Sequence, residues 1–205
     1  MSLSTLVKIS GVNNLSDARY CAGMGAAILG FCPEKGHPDY VDPDKFRELT
    51  GWVQGVKVAG EFHNSSSNQI HETLGSYKFD FLQVSDPGLI GELSGLQKPL
   101  IFQADLNLTD NLTGIREHFE QLKDRVIYFI LEGRNINPEW MKIIGQLADK
   151  YPILTGIDIT SKNVVEILKQ YNFHGLSLEG GSEIKPGYYD FGELAEILEL
   201  LDAGD

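Results

Sequence analysis

The chain has 205 residues, of which 42% are hydrophobic and 22% are charged, a composition typical of one globular domain. Its 17 Lys and Arg and 29 Asp and Glu give a net charge of −12, and no basic cluster offers a track for nucleic acid. No apolar run approaches the roughly 20 residues needed to cross a bilayer, and the start lacks a secretion signal. We therefore expect a soluble cytoplasmic protein with one domain, residues 1–205.

Short β-branched or aromatic segments alternate with amphipathic segments about every 25 residues along the whole chain,. Eight segments are predicted strands: 7–10, 26–31, 56–62, 79–84, 99–105, 125–132, 152–158 and 173–179. Eight more are predicted helices: 15–24, 43–53, 68–77, 87–96, 111–123, 138–151, 163–171 and 191–201. Asp42-Pro43 and Asn137-Pro138 supply a capping side chain followed by a first-turn proline,.

Eight strand–helix units joined by short links fit either a closed barrel or an open doubly wound sheet. An open sheet of the nucleotide-binding kind places a G-x-G-x-x-G fingerprint after its first strand, whereas residues 10–14 contain a single glycine, Gly11,. The sequence therefore predicts an α/β fold consisting of a single (β/α)8 TIM barrel.

In such barrels the functional residues lie where the strands end, and phosphate often binds at the loops after strands seven and eight. Gly180-Gly181 and Ser182 follow the eighth predicted strand, and Thr155-Gly156 lies at the end of the seventh. Backbone N–H groups at such turns can bind an anion, although an ordinary tight turn has the same sequence. We therefore expect a phosphorylated small molecule between these two turns.

Acidic residues end the fifth, sixth and seventh predicted strands. Glu132 follows five successive apolar residues, so burial is expected to raise its pKa and suit it to general acid catalysis. Asp105 and Asp158 occupy the same place on strands five and seven. No histidine accompanies them at ligand spacing, and Cys21 and Cys32 have no paired spacing, so the sequence predicts reduced thiols and no metal site.

Several segments resemble the phosphoribosylanthranilate isomerases of tryptophan biosynthesis. Residues 7–12 (VKISGV) are similar to the V-K-I-C-G-I of the family, and residues 14–18 (NLSDA) to its N-x-x-D-A. The resemblance extends over nearly the whole chain, through residues 25–31, 37–43 (HPDYVDP, where the family has S-P-R-Y-V-S-P), 57–62 and the final Glu183, Pro186-Gly187 and Asp190.

The resemblance implies an isomerase that converts phosphoribosylanthranilate to a carboxyphenylamino-deoxyribulose phosphate by an Amadori rearrangement, without metal or organic cofactor. In that family a carboxylic acid protonates the ribose ring oxygen and a cysteine thiolate removes the proton from C2. These positions correspond to Glu132 and Ser10 in this sequence. His37 is the one histidine expected near a substrate, whereas His63 and His71 are expected in a loop and on the surface.

Four departures from the family pattern weaken the expected activity. A hydroxyl at Ser10 replaces the thiol and ionises far above neutral pH, and Glu132 replaces an aspartate. Asp39 stands where an arginine contacts the anthranilate carboxylate, and Ser85 stands where a histidine follows the fourth strand. Residues 133–137 also lack the G-G-T-G of the family. We expect Asp39, Ser85 and Asp158 to contact the substrate even so.

Two functions are consistent with the sequence. The first is an isomerase of this family with weak turnover, acting as a monomer or homodimer. The second is a diverged paralogue, or a non-catalytic barrel, that binds another phosphorylated small molecule, because one fold can carry many functions.

Overall fold

The eight predicted strands form a closed parallel barrel in the order β1 to β8. A computed structural model describes residues 2–185 and 188–204, with side chains for all of these except 182–185 and 188–189. β8 pairs with β1 in register from Leu6 opposite Gly175 to Ser10 opposite Glu179, which closes the ring. This arrangement confirms the (β/α)8 barrel.

The barrel strands are β1 (Leu6–Ser10), β2 (Ile28–Phe31), β3 (Lys57–Phe62), β4 (Phe81–Val84), β5 (Leu100–Asp105), β6 (Val126–Gly133), β7 (Ile153–Ile157) and β8 (Gly175–Glu179). The helices are α1 (Leu15–Gly23), α2 (Pro43–Gly51), α3 (Ser67–Thr73), α4 (Pro87–Leu93), α5 (Leu112–Leu122), α6 (Pro138–Ala148), α7 (Val164–Gln170) and α8 (Gly192–Leu200). None of the helices in the described residues is long and apolar enough to span a bilayer.

Side-chain caps begin most of the helices. The Asp42 carboxylate accepts the Asp44 and Lys45 amides at the start of α2, and the Asn137 side chain accepts the Trp140 amide at the start of α6. Both helices have proline in the first turn, where its missing N–H leaves no bond unmade. The capping signals in the sequence therefore correctly locate these two helix starts.

Several helices end earlier than their apolar pattern indicates. α3 ends at Thr73, and Tyr77 instead packs against Phe46 and Phe79 while its hydroxyl donates to the Val41 carbonyl. After α4 the chain makes a short 3₁₀ turn, and Gln97 then adopts a left-handed conformation with φ 52°. Tertiary packing and turn geometry at these ends override helical periodicity.

A two-stranded antiparallel hairpin, which the strand–helix pattern did not predict, lies between β8 and α8. It consists of β9 (Ser182–Lys185) and β10 (Tyr188–Asp190). The predicted phosphate-binding residue Ser182 is the first residue of β9, and its side chain lies outside the described part of the chain, as does that of Glu183. Pro186 and Gly187 also lie outside the described residues.

The inside of the barrel is divided into an apolar and a polar layer. Near the start of the strands, apolar side chains from Leu6, Phe81, Ile101, Tyr128, Ile130 and Leu154 pack together. Because inward-facing residues alternate along a strand, the next inward positions are Lys8 on β1, Gln83 on β4, Gln103 on β5 and Glu132 on β6. The apolar layer therefore closes the barrel below a polar surface.

Candidate active site

Polar side chains from six strands lie inside the barrel, toward the C-terminal ends of the strands. We name this set the polar belt, and its members are Lys8, Ser10, Glu61, Gln83, Gln103, Glu132 and Ser177. A first cavity of about 610 Å³ lies above it, and five belt members line that cavity: Ser10, Glu61, Gln83, Gln103 and Glu132. The cavity opens at the ends of the strands, where enzymes of this fold place their active sites.

A buried ion pair joins β1 to β3 at one side of the belt. Lys8 Nζ lies 2.5 Å from Glu61 Oε1, and both side chains are almost fully buried. The Gly11 amide donates to the other carboxylate oxygen at 3.0 Å. Desolvation favours the protonated form of Glu61, but Lys8 and the Gly11 amide outweigh it, so the pKa of Glu61 is below its ordinary value,. Lys8 and Glu61 therefore carry opposite charges inside the barrel.

Ser10 lies beside this ion pair. Its hydroxyl oxygen accepts a hydrogen bond from Lys8 Nζ at 2.6 Å and lies 3.5 Å from the hydroxyl oxygen of Ser177. Lys8 lies two residues before Ser10 on β1, and the structure shows the contact between them. Because the ammonium group is a donor held by Glu61, it is unsuited to remove the proton from the Ser10 hydroxyl.

Glu132 lies across the belt from Ser10 and also lines a second cavity. Its Oε2 accepts from Gln103 Nε2 at 2.6 Å, and its Oε1 accepts from the Ser177 hydroxyl at 3.3 Å. Desolvation raises the pKa of Glu132 above its ordinary value, although Lys8 and the Gln103 bond act in the opposite direction. This agrees with the direction expected from the apolar run before Glu132.

The glutamines extend the belt to β4. Gln83 Nε2 donates to Gln103 Oε1 at 2.6 Å, and Gln103 in turn donates to Glu132. The Gln83 carbonyl oxygen is buried without a hydrogen-bond partner in the described residues. Gln103 is thereby fixed with its amide group toward the acid, which orients the Glu132 carboxylate.

The second cavity, of about 670 Å³, lies over β6, β7 and β8, with Glu132, Gly156, Asp158 and Gly180 among its lining residues. Asp158 adopts φ 48° and accepts the amides of Asn135 and Ile136 at 2.8 and 3.0 Å. Its carboxylate therefore organises the loop after β6. Asp105 also lines this cavity, and one of its carboxylate oxygens accepts the Asn107 amide.

The glycine turn predicted to bind phosphate makes contacts within the protein. The Gly180 amide donates to the Ser10 carbonyl at 3.1 Å, and the Gly181 amide lies near the Asp17 carboxyl group, whose pKa it lowers. Thr155 is fully buried, and its hydroxyl accepts the Ile157 amide. The Gly180 amide and the Thr155 hydroxyl are therefore already engaged within the protein, whereas Gly156 and Gly180 both line the second cavity.

Two of the three positions predicted to contact the substrate, Asp39 and Ser85, differ in their location. Asp39 lines the first cavity and accepts from Asn13 Nδ2 at 3.0 Å. Ser85 is exposed just after β4 and lines neither cavity. The structure therefore brings Ser10, Asp39 and Glu132 together and separates them from Ser85.

Sequence reasoning assigned no role to five members of the polar belt, namely Lys8, Glu61, Gln83, Gln103 and Ser177. Each is a polar residue inside an otherwise apolar strand, two positions before the strand end or close to it. Such a residue at an inward-facing position is the feature that indicates a site within the barrel. The rule that sites lie at strand ends selected Ser10, Glu61 and Glu132, and of these only Ser10 and Glu132 were given a role.

No family model matches the chain. A curated relative, the N-(5'-phosphoribosyl)anthranilate isomerase of Gloeothece citriformis, is 26% identical over 215 residues, which cover 95% of this chain and 93% of the relative. The enzyme of the same name from Nitratiruptor is 24% identical, with 94% and 96% covered. These relatives match over nearly their full length.

Solved structures show the same fold. The phosphoribosyl anthranilate isomerase in complex with reduced 1-(o-carboxyphenylamino)-1-deoxyribulose 5-phosphate superposes with a TM-score of 0.77 and 17% identity, covering 95% of this chain and 97% of that one. The Thermus thermophilus enzyme gives a TM-score of 0.75 and 20% identity with the same coverage. The chain is therefore a homologue of the phosphoribosylanthranilate isomerases and has their barrel fold.

Proposed function

We propose that this protein is an aldose–ketose isomerase of the phosphoribosylanthranilate type, in which Glu132 is the general acid and proton removal from the sugar is slow. The observation that carries the proposal is the position of Glu132. It lies at the end of β6, borders both cavities, and has a raised pKa caused mainly by burial. A carboxylic acid that keeps its proton toward neutral pH can donate it to a substrate oxygen.

The proposed reaction begins with transfer of the Glu132 proton to the ribose ring oxygen as the bond from that oxygen to C1 breaks. The nitrogen lone pair then forms a double bond to C1, which gives an iminium ion. Loss of the C2 proton converts the iminium ion to an enolamine, and tautomerisation gives the ketone. The first step requires an oriented acid, and the hydrogen bonds from Gln103 and Ser177 supply that orientation.

Removal of the C2 proton is the step for which the belt is poorly equipped. Ser10 is the belt residue at the expected base position, and its oxygen accepts a hydrogen bond from the Lys8 ammonium. A hydroxyl in this setting is a weak base at neutral pH. A missing general base typically lowers a rate by about 10²- to 10⁴-fold. We therefore expect weak turnover.

Substrate binding is expected to be weak for an electrostatic reason. A substrate with a carboxylate and a phosphate meets a chain of net charge −12 and an Asp39 carboxylate in the first cavity. For the phosphate we propose the second cavity, where Gly156 and Arg134 are lining residues. The Arg134 guanidinium lies 3.7 Å from Glu179 and is largely exposed, so it is accessible to an anion.

A second candidate function is supported by Asp39 and the engaged glycine turn. A barrel that binds a different phosphorylated small molecule, as a diverged isomerase or without catalysis, has no need of a cation at position 39. The Gly180 amide, already bonded to the Ser10 carbonyl, agrees with such a change in ligand. This function requires no turnover of phosphoribosylanthranilate.

A steady-state isomerase assay of wild type, Glu132→Gln and Glu166→Gln tests the proposal. Glu166 is an exposed carboxylate on α7 and serves as the matched control. We expect wild-type kcat/KM below the roughly 10⁴ M⁻¹s⁻¹ of ordinary enzymes, and a further drop of about 10²-fold in Glu132→Gln alone. Equal rates in wild type and Glu132→Gln would reject the acid role, and no turnover by wild type would favour the second candidate.

A further inference from the structure

Three side chains with nitrogen or sulfur ligand atoms converge beside the first cavity. The ligand atoms of Cys32, His37 and His63 all lie within 4.8 Å of one another. Thiolate and imidazole are the ligands that zinc prefers in proteins. We propose that these three residues bind a divalent transition-metal ion of the zinc type at the mouth of the barrel.

The barrel topology explains why residues distant in sequence meet. Cys32 follows β2 and His63 follows β3, and these strands are neighbours in the sheet. The loop after β2 folds back, which brings His37 close to Cys32 and His63. Two backbone bonds hold this turn: the His37 amide donates to the Glu34 carbonyl, and the Val41 amide donates to the Cys32 carbonyl. The convergence therefore depends on strand order, which a search for ligand spacing in the sequence does not detect.

The two imidazoles are held by the loops in a defined arrangement. Their rings stack with centroids 4.7 Å apart and an interplanar angle of 9°. The Glu34 carboxylate accepts the Asn64 and Ser65 amides and the Ser65 hydroxyl at 2.6 to 3.3 Å. Because Glu34 lies two residues after Cys32 and Asn64 follows His63, these bonds tie the two ligand-bearing loops together. A preorganised ligand set lowers the entropy lost on binding.

The charges around the ligand set favour a cation. Burial first, and the nearby carboxylates of Glu34, Glu61 and Asp39 second, raise the pKa of the Cys32 thiol, so a metal ion that binds there displaces its proton,. The Asp39 amide donates to His37 Nδ1 at 3.2 Å, and Asp39 Oδ2 lies 3.8 Å from the same nitrogen, so Asp39 orients this ring.

Three protein ligands leave one position of a tetrahedral zinc ion open. His37 and His63 also line the first cavity, together with Ser10 and Glu61. An ion held by these histidines therefore lies at the cavity wall, and water or an oxygen of a bound molecule completes its coordination. A purely structural zinc site has four protein ligands, so this set fits an accessible ion better.

The test is a titration of the full-length, tag-free, chelator-treated protein with Co²⁺, followed by displacement with Zn²⁺. We expect one equivalent of Co²⁺ to give the charge-transfer absorption of a thiolate ligand and the intense visible bands of tetrahedral cobalt, and Zn²⁺ to abolish both. Binding without the charge-transfer band, or no saturable binding, would overturn the proposal.

Variants separate this site from non-specific binding. His63→Ala removes a ligand in a surface loop, so it is expected to keep the fold, and it should weaken Zn²⁺ affinity by more than the about 10- to 100-fold typical of outer-shell changes. Cys32→Ser should abolish the charge-transfer band. The matched controls are His71→Ala, at an exposed histidine on α3, and Cys21→Ser, at the other buried cysteine. Both should bind as wild type, and equal losses in the controls would reject the assignment.

Discussion

The Ser10 hydroxyl accepts a hydrogen bond from an ammonium group that is itself paired with a carboxylate. These surroundings disfavour a hydroxyl as a base, but they favour a cysteine thiol at the same position. A nearby Lys lowers the pKa of a thiol and increases the thiolate fraction. The residue at position 10 therefore decides whether the existing surroundings can support proton removal.

We predict that Ser10→Cys increases kcat by a modest factor, whereas Asp39→Arg acts mainly on KM. The reason is that the thiol supplies a base, while the arginine replaces an anion by a cation opposite the substrate carboxylate. The double variant should gain more in kcat/KM than the product of the single gains, because binding and chemistry are limited together. The measurement is a steady-state assay of all four proteins, with Ser10→Ala as a control. A fully multiplicative result would contradict the coupling.

We predict that Gln103→Met shifts the basic limb of the kcat/KM profile to higher pH. The general acid acts while protonated, so kcat/KM should fall as the pH rises through the raised pKa of Glu132. The bond from Gln103 favours the charged carboxylate, and its removal should raise the pKa of Glu132 further. Gln170→Met, on the surface of α7, is the control. A limb at the same pH in all three proteins would argue that another group provides the proton.

The sequence predicted the functional residues at strand ends but not those inside the strands. Ser10 and Glu132 follow from the rule that sites lie at strand ends. Lys8 and Glu61 become interpretable only when β1 and β3 are known to lie on either side of β2, because the two residues are 53 positions apart in the sequence. The same limit applies to Cys32, His37 and His63, which belong to two loops.

Among the strands, β2 makes room for the buried ion pair. Gly30 faces inward from β2, and a Cβ at this position would overlap the Glu61 carboxyl group and lie 3.0 Å from Lys8 Nζ. The absence of a side chain on β2 is therefore what allows β1 and β3 to place opposite charges side by side. The sequence shows a glycine at position 30 of the second strand, but only the structure shows that it leaves space for the Lys8–Glu61 ion pair.

We predict that Gly30→Ala lowers the free energy of unfolding by about 1–3 kcal/mol, the usual range for overpacking in a core. Gly114→Ala is the control, because Gly114 lies on α5 with open space around its Cβ position. The control should be stabilised by roughly 0.5–1 kcal/mol through better helix propensity. Urea unfolding of both variants measures the two changes. An unchanged midpoint for Gly30→Ala would show that the ion pair can move aside.

The element boundaries illustrate what local sequence can predict. All eight strands and eight helices were predicted, because each has an apolar pattern of the correct period and several have strong caps. The ends of α3 and α4 were placed too late, since periodic apolar residues continued into turns that pack on the core. The hairpin of β9 and β10 was missed because its strands have only four and three residues, too few to show a recognisable alternating pattern,.

For the whole molecule, stability depends on pH through a buried carboxyl group on α1. Burial raises the pKa of Asp17 from 3.8 to about 6, although Asn14 and the Gly181 amide lower it. A group with a raised pKa stabilises the fold while it is protonated, below its unfolded value near 4. This contribution is lost as the pH rises through about 6,.

We predict that Asp17→Asn gains stability relative to wild type between pH 4 and pH 8, by up to about 3 kcal/mol from the two-unit shift. The amide is neutral throughout this range and avoids the cost of a buried charge. Asp110→Asn, at an exposed loop position, is the control and should show no pH-dependent difference. Chemical unfolding at several pH values gives the free energies. A constant difference between Asp17→Asn and wild type would contradict the assignment.

The polar belt has a consequence for the order of events during synthesis. Ser10 leaves the ribosome early and Glu132 much later, but Ser177, whose hydroxyl lies between them, belongs to the last barrel strand. Until β8 has been synthesised, the edge of β1 that pairs with β8 in the barrel has no partner strand. A nascent chain stalled before β8 lacks Ser177 and the cavity-lining residues Glu179 to Gly181, so we expect the first cavity to bind a ligand only after β8 has closed the ring.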